Sequence, residues 1–238
     1  MKMKRWLLGV ILTAAMCLGL TGAAAADERE QTVVYASTAE ELEEALKSNV
    51  KIVLEGKDYT YEECLLLKNL ENVTIKGMEG TRITSLSPEL DVIAIYNSRN
   101  IILEDIVFGH DIPTHTGCED PIVIYGADSE ITILGCDIFG CGTKGLNISG
   151  CMVAMRDSVI HDCTEGIMNV GDSTAKFDRC TFSNNGYDDP DLYGIYLSAL
   201  EADSLCEFSD CIFENNKNPI FVYIRETGAN ASYRCDIL

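Results

Sequence analysis

One short pattern returns six times along this chain, five times in full, and it constrains the fold more than any other feature. It runs apolar, two residues, small or cysteine, one residue, apolar, two residues, polar or cysteine. The complete copies are Leu103-Ile106-Phe108-Asp111, Ile133-Cys136-Ile138-Cys141, Met155-Ser158-Ile160-Cys163, Phe177-Cys180-Phe182-Asn185 and Phe208-Cys211-Phe213-Asn216. A sixth fades around Tyr233, Cys235 and Ile237. Successive copies lie 30, 22, 22 and 31 residues apart. A floor of 22 with longer excursions describes a solenoid, with one compact coil per repeat and surplus residues in loops.

Each coil carries short β-rich runs. Ile101-Ile102-Leu103, Ile131-Thr132-Ile133 and Met152-Val153-Ala154-Met155 are of one kind. A second kind precedes them: Val92 to Ile95, Ile122 to Tyr125, Leu146 to Ile148, Ile167 to Val170, Ile195 to Leu197 and Ile220 to Tyr223. Gly, Asn, Asp and Ser separate the runs, and no helical period lies between them. Two or three short strands per coil predict an all-β fold, a right-handed parallel β-helix of roughly seven or eight coils. Stacking at ~4.8 Å per coil then makes inward ladders of Cys136, Ser158, Cys180 and Cys211, and of Asn185 and Asn216. Ahead of the coils, Thr38-Ala39-Glu40-Glu41-Leu42 with Ala45-Leu46 reads as a short N-terminal α-helical cap, Thr38 being the N-cap. Such a helix covers the open first coil.

Residues 1–26 read as a secretory signal. Lys2, Lys4 and Arg5 precede an apolar run from Trp6 to Leu20, and Ala24-Ala25-Ala26 offers a cleavage site. The protein is therefore expected to be secreted or in the cell envelope, with no membrane span after cleavage. Residues 27–48 are an N-terminal segment with the capping helix, and 49–238 the β-helix. Removing the signal leaves 15 Lys and Arg against 38 Asp and Glu. That charge opposes nucleic acid and anionic lipid. It also opposes an unaided grip on a polyanionic sugar, unless a divalent cation bridges the carboxylates. Oligomeric state is open.

Ten cysteines follow the signal. In a secreted chain, disulfides are the ordinary inference. Here Cys136, Cys180 and Cys211 share a repeat position with Ser158, which describes a small buried residue, and these three are expected as free thiols. Cys141 and Cys163, one coil apart, are close enough to bridge.

Two insertions leave the coil at equivalent points. Residues 110–120 include His110, His115, Glu119 and Asp120; residues 186–193 include Asp188, Asp189 and Asp191. Two coils without insertions separate them, turning through Lys144 and Glu165. Loops on one side of a solenoid make walls, and the bare coils between make a floor ~15 Å across at ~4.8 Å per step. His110, His115, Glu119 and Asp120 are the catalytic candidates, since His with carboxylates suits acid–base work. Lys144, Glu165, Asp188, Asp189 and Asp191 are the ligand-binding candidates. The three aspartates are also candidates for Ca²⁺, a possible cofactor. His161, with Asp162, lies beside the floor.

The opening from Thr38 through Gly56-Lys57-Asp58-Tyr59 resembles the N-terminal cap and first coil of pectate-lyase-like β-helix proteins. Asn72 to Gly77, Asn100 to Asp105 and Cys211 to Asn216 are similar to the generic repeat of that superfamily. The fold it implies serves lyases, hydrolases, epimerases, esterases and adhesins. Of the polygalacturonase motifs only Gly109-His110-Asp111 approaches one, and the esterase motifs Q-A-V-A and Q-D-T are missing. Arg156 and Arg179 sit in no lyase motif. The expected function is to bind or scaffold extracellular glycan or envelope components. The alternative is a carbohydrate-active enzyme, a Ca²⁺-assisted polysaccharide lyase or a glycoside hydrolase, working in the loop-walled cleft.

Overall fold

The computed structural model describes residues 30–87, 89–110, 122–140, 143–186, 194–198, 204–217, 222–225 and 229–237, the last two spans by backbone alone. It is a parallel β-helix with three strands in a full coil. One coil runs through a first-position strand (Arg99–Glu104), a second (Val107–His110) and a third (Ile122–Ala127). First- and second-position strands join into a fifteen-stranded sheet, and third-position strands form a separate seven-stranded sheet. Every described strand pair is parallel and one coil apart; Ile133, for example, lies opposite Leu103 on one side and Met155 on the other. The repeat register holds into the last strand, where Phe208, Cys211 and Phe213 face Tyr233, Cys235 and Ile237.

Alternation within each strand sends every second side chain inward. In Glu130–Leu134, Ile131 and Ile133 are buried between half-exposed or exposed neighbours. Rungs then stack like on like. Phe177 lies on Phe208 at 4.8 Å between ring centroids and Phe182 on Phe213 at 4.7 Å, with edge contacts across the interior. Fully burying such an aromatic contributes ~2–3 kcal/mol, so the stacked interior dominates the stability.

Corners turn on single left-handed residues. Asp105, Gly135, Asp157, Arg179 and Asp210 turn the first corner; Asn69, Asn97, Asp128, Gly150 and Asp172 turn the corner after the third strand. Gly140, Asp162, Asn184 and Asn215 turn the remaining one, and all have φ between 46° and 66°. Asn, Asp and Gly tolerate this region best, which explains their recurrence. The residue after each turn points inward and completes the corner. Cys136 N–H donates to Ser158 Oγ at 3.0 Å, and Ser158 Oγ donates back to Arg156 O at 2.6 Å. Cys163 N–H donates to Asn185 Oδ1 and Asn185 N–H to Asn216 Oδ1, at 3.0 and 3.1 Å. The two expected ladders are therefore present. A third escaped notice: Ser98, Ser129, Cys151, Ser173 and Ser204, where Ser98 N–H reaches Ser129 Oγ at 3.1 Å and Cys151 N–H reaches Ser173 Oγ at 2.9 Å. Small hydroxyls and thiols are wanted here because each corner leaves one amide to satisfy inside the solenoid.

Cys136, Cys180 and Cys211 are buried and free, as is Cys163. Cys163 makes no bridge; Cys141 lies outside the described residues. The helix spans Ala39–Ala45, with Thr38 Oγ1 accepting Glu41 N–H at 3.2 Å and Glu41 Oε2 accepting Ser37 N–H at 2.7 Å. It buries Leu42 over the first coil. The β-helix, expected from residue 49, starts earlier: Thr32–Ala36 pairs in parallel with Val50–Leu54, so its first rung precedes the helix. A single short strand with little alternation carried no periodic signal. Among the described residues no helix is long and apolar enough to cross a membrane.

Candidate functional site

Sheet order sets Val107–His110, Asp137–Phe139, Val159–His161 and Thr181–Ser183 side by side. The roots of the two insertions are thus three rungs apart, with two bare coils between. His115, Glu119, Asp120, Asp188, Asp189 and Asp191 lie outside the described residues.

His110 is described, and it does not stand on the wall. It continues the inward parity of Phe108 and is 3% exposed. Its Nε2 bonds the Leu90 carbonyl at 2.9 Å, and Nδ1 has no partner among the described residues. Burial holds its pKa below the ordinary value, so the ring is neutral. Next to Leu90, Asp91 Oδ1 accepts Ile122 N–H at 2.8 Å. Residues 90 and 91 of the preceding coil thereby clasp both stems of the first insertion.

On the floor, Lys144 Nζ lies 3.4 Å from Glu165 Oε2, and the lysine side chain is only 14% exposed. Beside them His161 is held between two carboxylates: Nε2 to Asp137 Oδ1 at 2.8 Å and Nδ1 to Asp162 Oδ2 at 2.6 Å. The Asp137 bond, opposed by burial and helped by Asp162, pushes its pKa up to about 9. His161 is therefore an imidazolium at neutral pH with both N–H groups engaged. It serves as a fixed positive strut, not as a base. Phe139 stacks on His161 at 5.8 Å, and the Arg82 guanidinium lies 5.6 Å from the Phe139 ring centroid. Gly109 makes room for that ring, since a Cβ there would lie 2.4 Å from it. Asp137 was not singled out from the sequence. It lies 24 residues from His161 and meets it only across one rung.

Round the corner, the outer face of the seven-stranded sheet holds a second group that sequence reasoning passed over. One outward column runs Ala94, Tyr125, Asn147, Asn169 and Tyr196. The next runs Lys68, Tyr96, Ala127, Ser149, Gly171, Ser198 and, by register, Arg225. Tyr96 and Tyr125 rings stand 5.4 Å apart. The side-chain amides of Asn147 and Asn169, partly exposed, make no hydrogen bond among the described residues. A tyrosine thus stands on the strand after each insertion, at Tyr125 and Tyr196. The two amides sit on the bare coils between. The signal was present in the runs Ile124-Tyr125, Leu146-Asn147-Ile148, Met168-Asn169-Val170 and Ile195-Tyr196-Leu197; aligning them as rungs brings out the column.

The face offers ring surfaces and two-way hydrogen-bonding amides over a floor of small residues. Such chemistry suits packing and hydrogen bonding.

Among curated proteins none matches the chain. A crystal structure of a candidate glycosyl hydrolase from Parabacteroides merdae ATCC 43184 is similar over 75% of this chain and 92% of its own, at 14% identity and a TM-score of 0.53. A doubly substituted pectate lyase from Xanthomonas campestris is matched at 11% identity and a TM-score of 0.38, over 86% of this chain and 81% of its own. At such identities the likeness speaks to fold alone. The family described as the right handed beta helix region matches residues 91–237, more than half of the chain, and the stacked parallel coils agree: the protein belongs to that family.

Proposed function

We propose that the protein is an extracytoplasmic glycan-binding β-helix whose ligand lies on the outer face of the seven-stranded sheet. The observation that carries this reading is the in-register column Tyr125, Asn147, Asn169, Tyr196 beside Ala127, Ser149, Gly171 and Ser198. A sugar ring has an apolar face that packs on an aromatic ring, and a rim of hydroxyls that each donate and accept. Tyrosines supply the first contact and amides the second. The two insertions, whose residues His115, Glu119, Asp120, Asp188, Asp189 and Asp191 lie outside the described residues, leave the coil at the corner beside this face. Lys144 and Glu165 lie at its edge.

A second reading, turnover, draws on one observation: Asp137 and Asp162 are held on opposite sides of His161 at the corner beside the face. Linear bonds to the two ring nitrogens set the bonded oxygens ~7 Å apart, inside the ~6.5–9.5 Å of inverting glycosidases. Binding is preferred because both carboxylates are already engaged by the His161 ring.

Affinity electrophoresis on a polysaccharide panel, with and without Ca²⁺, tests the proposal. Wild type is expected to be retarded, and Asn147→Ala/Asn169→Ala to lose at least about tenfold in affinity. Unchanged retardation of the double variant sinks the assignment. Reducing-end release abolished by Asp137→Asn would replace binding by hydrolysis.

A further inference from the structure

We infer that the N-terminal end of the solenoid is a peptide-recognition site, where an extended segment of a partner protein joins the seven-stranded sheet as an added strand. The coil opened by Thr32–Ala36 has a first-position strand, but the seven-stranded sheet ends one coil later, at Leu65–Lys68. The capping helix takes the place of that coil's second strand. Tyr59 Oη donates to Ala36 O at 2.6 Å and Tyr61 Oη to Ala39 O at 3.1 Å, which fastens the start of the helix over the second-position strand Asp58–Tyr61. No described strand takes the third place. The chain passes from Ala45 at the helix end to Val50 through residues 46–49 alone.

Leu65–Lys68 therefore has an open edge. On its paired side, Leu65 and Asn69 N–H donate to Val92 O and Tyr96 O at 3.1 and 3.0 Å. Backbone groups alternate in direction along a strand, so the N–H and C=O of Leu66 and Lys68 point to the open side. None of these four groups has a backbone partner among the described residues. A groove of about 440 Å³ lies along this edge, lined by Glu43, Leu46, Glu63, Leu66, Lys68 and Leu70. An unpaired edge is a template for another strand, and in such sites main-chain bonds give affinity while groove side chains choose the sequence. Leu46, Leu66 and Leu70 call for apolar side chains; Leu66 is 51% exposed as it stands. Charge sets the direction. Glu63 precedes the edge strand and Lys68 closes it, while Glu43 adds a second carboxylate from the helix. A strand added in parallel, as every described pair is, starts beside Glu63 and ends beside Lys68. The partner segment is therefore basic at its start, apolar in the middle and acidic at its end, and the basic start also suits a chain of net charge −20.

The test is fluorescence anisotropy with short labelled peptides of alternating valine and threonine, capped at both ends. One has lysine first and glutamate last, and the other has the two exchanged. Each is also made with alternate amides N-methylated, in both registers. The protein is expected to bind the lysine-first peptide at least about tenfold tighter than its reverse, and to lose it on N-methylation in one register. Leu66→Pro removes an N–H on the open side and leaves the bonds to the next coil in place; it should weaken binding at least about fivefold. Glu43→Lys/Glu63→Lys changes two exposed side chains and should invert the preference between the peptides. Failure of both peptides to bind overturns the proposal, and so does binding that neither N-methylated set weakens. Equal binding of the two peptides overturns the charge assignment. Sedimentation of the protein alone supplies the last arm: self-association that disappears in Leu66→Pro gives the edge to a second copy of this chain and overturns the partner assigned here.

Discussion

The outer faces of the first- and third-position strands share the same coils and the same spacing, yet they differ in chemistry. The first is laced across rungs by ion pairs: Lys76 Nζ to Glu104 Oε1 at 2.6 Å, and Lys176 Nζ to Glu207 Oε2 at 2.8 Å. Arg156 and Asp178 are direct register neighbours on the same face. Alternating charge suits a sheet that must stay in water and resist pairing with other sheets. The third-position face gives up that protection. From Ile93–Tyr96 to Ile195–Ser198 its strip is Tyr, Asn, Ser, Gly and Ala, half-buried at most positions, with Lys68 and Arg225 in register at the two ends. Neither pattern follows from β propensity, which treats both faces alike. On the proposed reading, the third-position face is the one a ligand covers.

The comparison assumes that both faces decorate one interior. The largest expected effect tests that assumption. Cys180 is 1% exposed, and Cys180→Asp should cost ~3 kcal/mol or more, read as a fall in denaturant midpoint, because the new carboxylate has no buried partner. Thiol titration belongs with it: Cys136, Cys180 and Cys211 should react only after unfolding. Oxidation of all three would break the ladder account.

A smaller effect comes from writing one face onto the other. Asn147→Lys with Asn169→Glu gives the third-position strip the cross-rung pair of the first. Stability should stay within about 0.5 kcal/mol, while glycan affinity falls at least about tenfold. Unaltered affinity would mean that the two faces do not differ in function.

pH separates the two described histidines. His161 has a folded pKa of about 9, above the ordinary 6.5. Its contribution is complete below about 6.5 and is lost as pH rises through about 9. Because Asp137 and Asp162 are 46% and 51% exposed, it is expected to be ~1–2 kcal/mol after screening. His110 works in the other direction. Its folded pKa is lowered by burial, so stability is lost as pH falls below 6.5, where the unfolded ring takes a proton first. Chemical denaturation across pH 5 to 10 should show both arms, and His161→Phe should remove only the alkaline one.

The smallest effect is on the charged face. Lys76 pairs with Glu104 and Asp105, with its side chain 35% exposed. Lys76→Ala should cost at most about 1 kcal/mol, and nothing measurable at high salt. A larger, salt-independent loss would show that this face is structural as well.

Much of this was legible before any coordinates. Offsets of three, five and eight named the inward positions, so Ile133, Cys136 and Ile138 fell inside as expected. Thr38 and Glu41 foretold the cap. The equal placement of the two insertions foretold their roots. His110 was placed in the insertion, whereas two-residue alternation carries the strand one step further, to an inward ring. Asp137 and the tyrosine–amide column were missed because neither is a motif along the chain.

By itself the sequence determined the architecture. Two-residue alternation and a 22-residue period are local properties, and each coil repeats them until only a parallel stack can bury all the apolar positions together. What only the tertiary structure decided is which outward residues become neighbours. That depends on register between coils, which left-handed turns and inward Ser, Cys and Asn ladders set one rung at a time. Tyr125 and Asn147 are separated by 22 residues of chain and by one hydrogen-bonded rung in space. A binding surface made of such neighbours exists only once the coils are stacked.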